Sequence, residues 1–210
     1  MKQILDGVLY LHDNGIIHRD LNPSNLLLND EIEVKIGGFG LATKIQYENL
    51  YFMAPETIIK REEEHDFEVD VWSLGCILYT LLVGKSPFET NSFRETCERI
   101  KRCDYKIPTE IKAPAANLIN SMLLPDPKKR PTVDQIIRSD FFNGYIPSKL
   151  PVSCLTDEPK PKYFDYMASS ESDSSGSDSA GSDSELDYSR DMAALGYYSK
   201  GAKDTEDSSE

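Results

Sequence analysis

Apolar residues recur at helical spacing near the start of the chain, between residues 2 and 13. The apolar positions of this segment are Ile4, Leu5, Val8, Leu9 and Leu11. Their three- and four-residue spacing predicts an amphipathic helix, which Asn14-Gly15 is expected to end. Two short apolar runs follow, residues 25–28 and 33–36, and the turn-forming Asn29-Asp30 lies between them. This pattern predicts a small β-hairpin.

A later segment, residues 67–83, is apolar nearly all round its helical wheel, which is typical of a helix in the middle of a core. Residues 91–102 and 113–124 alternate apolar and polar faces and predict two amphipathic helices. Thr132 and Gln135 match a capping-box pattern at the start of another helix, which extends to about residue 138. The chain is therefore predicted to be mainly α, with one small β-hairpin.

The C-terminal part of the chain differs from the rest in composition. Residues 157–210 contain 14 acidic and five basic residues, so they carry −9 of the formal net charge of −13. Residues 169–185 are almost entirely Ser, Asp, Glu and Gly, a composition too polar to offset the entropy of ordering. We expect a folded domain over residues 1–156 and a disordered acidic tail over residues 157–210. The tail is either a substrate of acid-directed kinases or an uncommitted solubilising segment.

Charge and cysteine usage argue against several kinds of site. The net acidic charge is unsuited to nucleic-acid backbones, whose binding needs clustered Lys and Arg. The four cysteines form no C-x-x-C pair, so we expect reduced thiols and no zinc site. The apolar run at residues 76–83 is too short to span a bilayer, and we expect no signal peptide. These features predict a soluble intracellular protein.

The candidate chemistry lies in a loop after the first helix, where His18-Arg19-Asp20 is followed by Asn25. A His-Arg-Asp triplet with an Asn five residues beyond its Asp is the catalytic-loop pattern of protein kinases. After the predicted hairpin comes Gly38-Phe39-Gly40. In kinases the first of these three positions is an Asp that holds magnesium against the ATP phosphates. In this chain that position is Gly38.

Longer segments resemble one branch of that family, the polo-like Ser/Thr kinases. They are residues 35–44, 67–73, 79–85, 87–90 and 144–156, whereas Ala54-Pro55-Glu56 and Arg130-Pro131 resemble protein kinases in general. The resemblance covers residues 1–156 and implies the helical C-terminal lobe of the protein kinase fold. It also implies ATP-dependent phosphoryl transfer to Ser or Thr of proteins, with ATP and Mg²⁺ as cofactors. The implied location is the cytoplasm, the nucleus or the centrosome.

The resemblance further implies roles for single residues. Asp20 would accept or orient the proton of the substrate hydroxyl, and Asn25 would hold a magnesium ion. The implied structural residues are His18 in the core beneath the site, Arg19 facing a phosphorylated residue, Phe39 and Gly40 after the hairpin, Asp70 bound to the loop backbone, and the buried ion pair of Glu56 with Arg130.

Departures from the family pattern argue against efficient catalysis. Asn22 stands where the family has a Lys near the transferred phosphate, and Gly38 removes the main magnesium carboxylate. Residues 41–53 form a short segment without the family's phosphorylatable Thr. The Gly-rich loop, the strand Lys and the helix Glu of kinases are absent from this sequence, which predicts a lobe without its N-terminal partner. The chain is therefore predicted to be a truncated, catalytically deficient pseudokinase.

Other interpretations stay open at this point. The sequence could be a fragment or a misread version of an active polo-like kinase, which an in-frame upstream segment with a Gly-rich loop would reveal. It could also be a kinase-derived interaction module that contacts protein partners or kinase regulators. A decayed duplicate with no selected role is a further possibility. None of these cases calls for a nucleic-acid or membrane partner.

Overall fold

Helices make up most of the described chain. The computed structural model describes residues 1–39, 50–59 and 66–144. In these ranges the elements are α1 (Lys2–Asp13), β1 (Leu26–Leu28), β2 (Val34–Ile36), α2 (Pro55–Ile59), α3 (Glu68–Val83), α4 (Phe93–Arg102), α5 (Ala113–Met122) and α6 (Val133–Ile137). Three 3-10 turns span Pro23–Asn25, Pro127–Lys129 and Asp140–Phe142. The prediction of a mainly α fold with a small hairpin is confirmed; the predicted tail lies outside the described residues.

The hairpin is antiparallel, and its register pairs Leu26 with Ile36. Each strand begins one residue later than its apolar run predicts. Asn25 closes the preceding 3-10 turn instead, and the backbone N–H of Glu33 donates to Asn29 Oδ1 at 2.8 Å. Side-chain bonds of this kind compete with strand pairing, which explains both differences.

The central element of the core is α3, as its all-round apolar pattern predicts. Its buried apolar residues include Val69, Val71, Trp72, Leu74, Ile77 and Leu78. The ring of Trp72 stacks on Phe88, with centroids 5.4 Å apart. Gly84 ends the helix with φ 92°, and its N–H donates to Thr80 O. A glycine at this left-handed position is the common way to end a helix.

The described cysteines are buried or partly buried. Cys76 on α3 is fully buried, and burial raises the pKa of its thiol well above the usual value. Burial also raises the pKa of Cys103 to about 11, and Cys103 Sγ donates to Leu123 O. Both thiols are therefore packing groups that stay protonated at neutral pH. Among the described helices, none combines the length and the apolar character needed to cross a membrane.

Two glycines mark places where elements approach closely. A Cβ added at Gly75 on α3 would lie 2.9 Å from Leu123 Cδ2 and 3.0 Å from Met122 Cβ. A Cβ added at Gly7 on α1 would lie 2.7 Å from Ile36 Cδ1. The two contacts differ in kind, because Met122 Cβ is fixed by its backbone while Ile36 Cδ1 is the free end of a flexible side chain.

Gly75→Ala is expected to lower the free energy of unfolding by about 1–2 kcal/mol, since overpacking outweighs the gain in helix propensity. Gly7→Ala is the matched control, because Ile36 can rotate away and Ala favours the helix. It should stay within about 0.5 kcal/mol of the wild type. Urea unfolding measures both, and equal losses in the two variants would contradict the close α3–α5 contact as the cause.

Candidate functional site

The loop at residues 16–25, between α1 and β1, is held from beneath by Asp70 of α3. The Asp70 side chain is fully buried. Its Oδ2 accepts the backbone N–H of His18 at 2.8 Å, and its Oδ1 accepts that of Arg19 at 2.8 Å. Arg19 has φ 67°, in the left-handed region. The carboxylate thus stabilises a backbone shape that an ordinary residue rarely adopts.

His12, a residue that the sequence reasoning missed, completes the set of donors around Asp70. It lies in the last turn of α1, where its Nε2 is 2.9 Å from Asp70 Oδ2. Its ring packs on Phe67, with centroids 4.7 Å apart. The available signal was a polar residue four positions after Val8, on the apolar face of the predicted helix. Asp70 therefore joins α1, the loop and α3 at one point.

His18 connects the loop to the segment that leaves the hairpin. Its Nε2 donates to Gly37 O at 2.7 Å, and its Nδ1 accepts from the backbone N–H of Asp20 at 3.3 Å. Its ring lies against Phe39, with centroids 5.1 Å apart. The structure thus brings residues of the two sequence motifs together. Phe39 itself is 58% exposed, and Gly40 lies outside the described residues.

The carboxylate of Asp20 is contacted on both sides by side-chain amides. Asn22 Nδ2 donates to Asp20 Oδ1 at 3.0 Å, and Asn25 Nδ2 donates to Asp20 Oδ2 at 3.1 Å. Both amides also donate to the backbone carbonyl of Asp20, at 3.0 and 2.7 Å. The predicted catalytic residues therefore lie together, as one hydrogen-bonded cluster.

Gly38 follows this cluster, with φ 80°. A Cβ added there would lie 2.5 Å from Asn25 Nδ2 and closer still to the rest of its amide group. The side chain of Asn25 thus occupies the space that a carboxylate at position 38 would need. In this arrangement, an Asp at position 38 would require Asn25 to move.

The residues around Gly38 do not fit a magnesium-bound nucleotide. Magnesium prefers several oxygen ligands in near-octahedral geometry, usually including a carboxylate or two. Asp20 is the carboxylate of this cluster, and the nearby Asn25 amide donates to it. Within residues 1–39, 50–59 and 66–144, no group of three His, Cys, Asp or Glu side chains is arranged to hold a metal.

Arg19 precedes this cluster in the loop. Its side chain is exposed, and among the described residues no hydrogen bond or ion pair involves its guanidinium. Residues 41–53, which lack the phosphorylatable Thr that Arg19 would face in kinases, are described only from residue 50 onward.

Arg130 and Glu56 form a bidentate ion pair beside α3. Arg130 Nη1 lies 2.6 Å from Glu56 Oε1, and Nη2 lies 2.8 Å from Oε2. Nη1 also donates to Glu68 O, and Nε donates to Leu124 O. The guanidinium carbon lies 4.9 Å from the centre of the Trp72 ring. These contacts join α2, α3 and the segment before α6.

Comparison with known proteins gives one family and several close relatives. The family model described as protein kinase domain matches residues 1–142. The serine/threonine-protein kinase PLK1 of Xenopus laevis is 52% identical over 170 residues, which are 76% of this chain and 28% of that protein. The serine/threonine-protein kinase polo of Drosophila melanogaster is 48% identical over 168 residues, 75% of this chain and 29% of the relative.

A third relative, the serine/threonine-protein kinase plk-1 of Caenorhabditis elegans, is 51% identical over 167 residues, 75% of this chain and 26% of the relative. The chain therefore spans between a quarter and a third of the length of the curated relatives described above.

Proposed function

This chain belongs to the protein kinase family, in its polo-like Ser/Thr group, and we propose that it is a catalytically deficient member of that group. The family reaction is transfer of the ATP γ-phosphoryl group to Ser or Thr of proteins. The observation that carries the proposal is the position of Gly38. Where the family pattern has a magnesium carboxylate, the chain has a glycine, and the amide of Asn25 fills the space.

The residue at position 22 supports the same conclusion. Phosphoryl transfer is driven by positioning and by cations that neutralise the developing charge on the phosphate. Asn22 is neutral where the family pattern has a Lys, and its amide is engaged by Asp20. Asn25 donates to Asp20 through Nδ2, and these bonds do not use its amide oxygen. The missing Lys at position 22 and the missing carboxylate at position 38 both weaken the neutralisation of charge near one site, and every 1.4 kcal/mol of lost transition-state stabilisation is about tenfold in rate.

The purified chain is expected to show no magnesium-dependent ATP affinity in the micromolar range, because Gly38 replaces the main magnesium carboxylate and the Asn25 side chain fills the space beside it. Isothermal titration calorimetry with ATP and MgCl₂ tests this. The same titration with EDTA in place of magnesium is the control, and thermal unfolding establishes that the sample is folded. A saturable signal that requires magnesium would overturn the proposal.

A second candidate function is that of a piece of a longer, active polo-like kinase. Identities of about half with longer polo-like kinases favour it. Any longer version that contains this segment also contains Asn22 and Gly38. The two candidates therefore differ in activity rather than in length. A phosphorylation assay on the protein translated from a transcript that extends upstream in frame would distinguish them.

The partners that we propose are proteins, such as substrates or regulators of kinases. Exposed large apolar residues beside the loop favour an interaction role, since such side chains are available to protein partners. They are Leu27, Leu28 and Phe39, which are 56%, 44% and 58% exposed. We further propose that acid-directed kinases phosphorylate residues 157–210, and that the protein works in the cytoplasm, the nucleus or the centrosome. A pull-down from native cells that recovers no specific protein would count against an interaction role.

A further inference from the structure

Asn22 uses each of its side-chain polar groups inside the loop. The residue is buried, with 2% of its surface exposed. Its Nδ2 donates to the carbonyl and to the carboxylate of Asp20, and its Oδ1 accepts the backbone N–H of Ser24 at 3.0 Å. Asn22 thus caps the 3-10 turn Pro23–Asn25 while it holds the residue two positions earlier.

The other end of the turn is bound to the same carboxylate. Asn25 Nδ2 donates to Asp20 O and Oδ2, and the backbone N–H of Asn25 donates to Asn22 O at 3.1 Å. The backbone carbonyl of Asn25 in turn accepts from Gly37 N at 2.8 Å. Residues 20–25 therefore form a closed set of bonds that continues into the hairpin.

We propose that Asp20 serves as the anchor of a structural turn at residues 20–25 and that Asn22 is the residue that positions its carboxylate. This role goes beyond the catalytic deficiency proposed above and does not depend on it. It supplies a reason, apart from chemistry, for an Asp at position 20 and an Asn at position 25. Each is needed to satisfy polar groups that the folded loop removes from water.

The identity of residue 22 is central to this role. A Lys at this position has three donors and no acceptor, so it can neither accept from Ser24 N nor form a cap. Asn offers a donor group towards Asp20 and an acceptor towards Ser24 in one short side chain. The replacement of the family's Lys is therefore a gain of turn structure as well as a loss of charge.

An exchange of the two side chains tests the proposal. Asn22→Asp keeps an acceptor for Ser24 N but places a second carboxylate against Asp20, and we expect it to raise the unfolding equilibrium constant at least about tenfold. Adding Asp20→Asn to Asn22→Asp exchanges the two side chains, so that the donor is at position 20 and the acceptor at position 22. The new Asn can donate to the new Asp and still accept from Asn25. The double variant should recover most of that loss.

The exchange tests whether residues 20 and 22 form a donor–acceptor pair. Asn22→Asp lowers stability even if Asn22 acts only as a cap, because its carboxylate repels Asp20, so the separation of positioning from capping comes from the uncharged variant Asn22→Ser described below. If the proposal is right, the exchange variant is at least about tenfold more stable than Asn22→Asp alone. An exchange variant no more stable than Asn22→Asp would overturn the proposal. Urea unfolding of the 210-residue chain measures the wild type, Asn22→Asp, Asp20→Asn and the exchange variant.

A milder variant keeps the test decisive if Asn22→Asp fails to fold. Asn22→Ser retains an acceptor for Ser24 but lacks the two donors to Asp20 and adds no charge. In native-state hydrogen exchange, we expect the Ser24 amide to stay protected while protection of the Asn25 amide falls at least about threefold, because the carboxylate and Asn25 are no longer held in one arrangement. Unchanged protection at Asn25 would contradict the positioning role. The ATP titration is carried out on the unmodified chain and does not depend on these stability and exchange results. Failure of this proposal and failure of the proposed function are therefore distinguishable.

Discussion

Arg130→Met is expected to lower the free energy of unfolding by about 3–5 kcal/mol, the usual effect of removing one partner of a buried ion pair. The Arg130 side chain is fully buried, and the Glu56 side chain is 15% exposed. The variant leaves the Glu56 carboxylate with no cation in the bidentate geometry described above. It also removes the donors to Glu68 O and Leu124 O. The loss should appear in urea unfolding as a lower midpoint with an unchanged slope.

The chain offers a matched control at its surface. Arg138 pairs with Asp134 one helical turn away, but their side chains are 77% and 49% exposed. Exposed helix pairs of this kind contribute about 0.3–0.5 kcal/mol, so Arg138→Met should barely move the midpoint. Glu56→Gln combined with Arg130→Met removes the uncompensated carboxylate and should recover part of the loss. A similar effect of Arg130→Met and Arg138→Met would show that the buried pair does not stabilise this fold.

Asp70→Ala is expected to lower the free energy of unfolding by about 3 kcal/mol or more, since each buried donor left without an acceptor costs about 1–3 kcal/mol. The donors concerned are the backbone N–H groups of His18 and Arg19 and the ring of His12. Arg19 also loses the bond that supports its left-handed backbone. Hydrogen exchange should show loss of protection at the His18 and Arg19 amides, alongside the lower midpoint in urea.

Two variants with smaller expected effects serve as controls for Asp70→Ala. His12→Ala removes one donor from Asp70 and leaves the two backbone bonds, so its effect should be clearly smaller. Asp6→Ala on the exposed side of α1 breaks only a surface ion pair with Lys2 and should change stability by less than about 1 kcal/mol. If Asp70→Ala destabilises the chain no more than His12→Ala, the backbone bonds to the loop contribute little.

Local sequence patterns were sufficient to predict those elements that depend on interactions between neighbouring residues. The all-round apolar run at residues 67–83 predicts α3, and Thr132 with Gln135 forms the capping box at the start of α6. The strand that was expected to begin at Asn25 shows the limit of this reasoning. Its apolar neighbours indicate a strand, but the cap made by Asn22 keeps Asn25 in the preceding turn.

At the candidate site, too, motifs could be predicted from the sequence, whereas contacts between residues far apart in the sequence could not. The spacing of Asp20 and Asn25, together with the glycine at position 38, is enough to recognise the motif and its missing carboxylate. The bond between His12 and Asp70 joins residues 58 positions apart, and no spacing rule predicts it. Nor can a sequence pattern show that the amide of Asn25 fills the space beside Gly38, because that depends on the packing of two neighbouring segments.

The dependence of the loop on Asp70 has a consequence for the order in which the chain folds. His18 and Asp70 are 52 positions apart, and the entropy of closing a segment grows with the logarithm of its length. Helical turns form from contacts three and four residues apart, whereas such distant pairs slow folding. The backbone N–H groups of His18 and Arg19 gain their bonds to the carboxylate only when α3 has met the loop. We therefore expect the loop that carries the family motif to take its shape through a long-range contact and not from its local sequence alone.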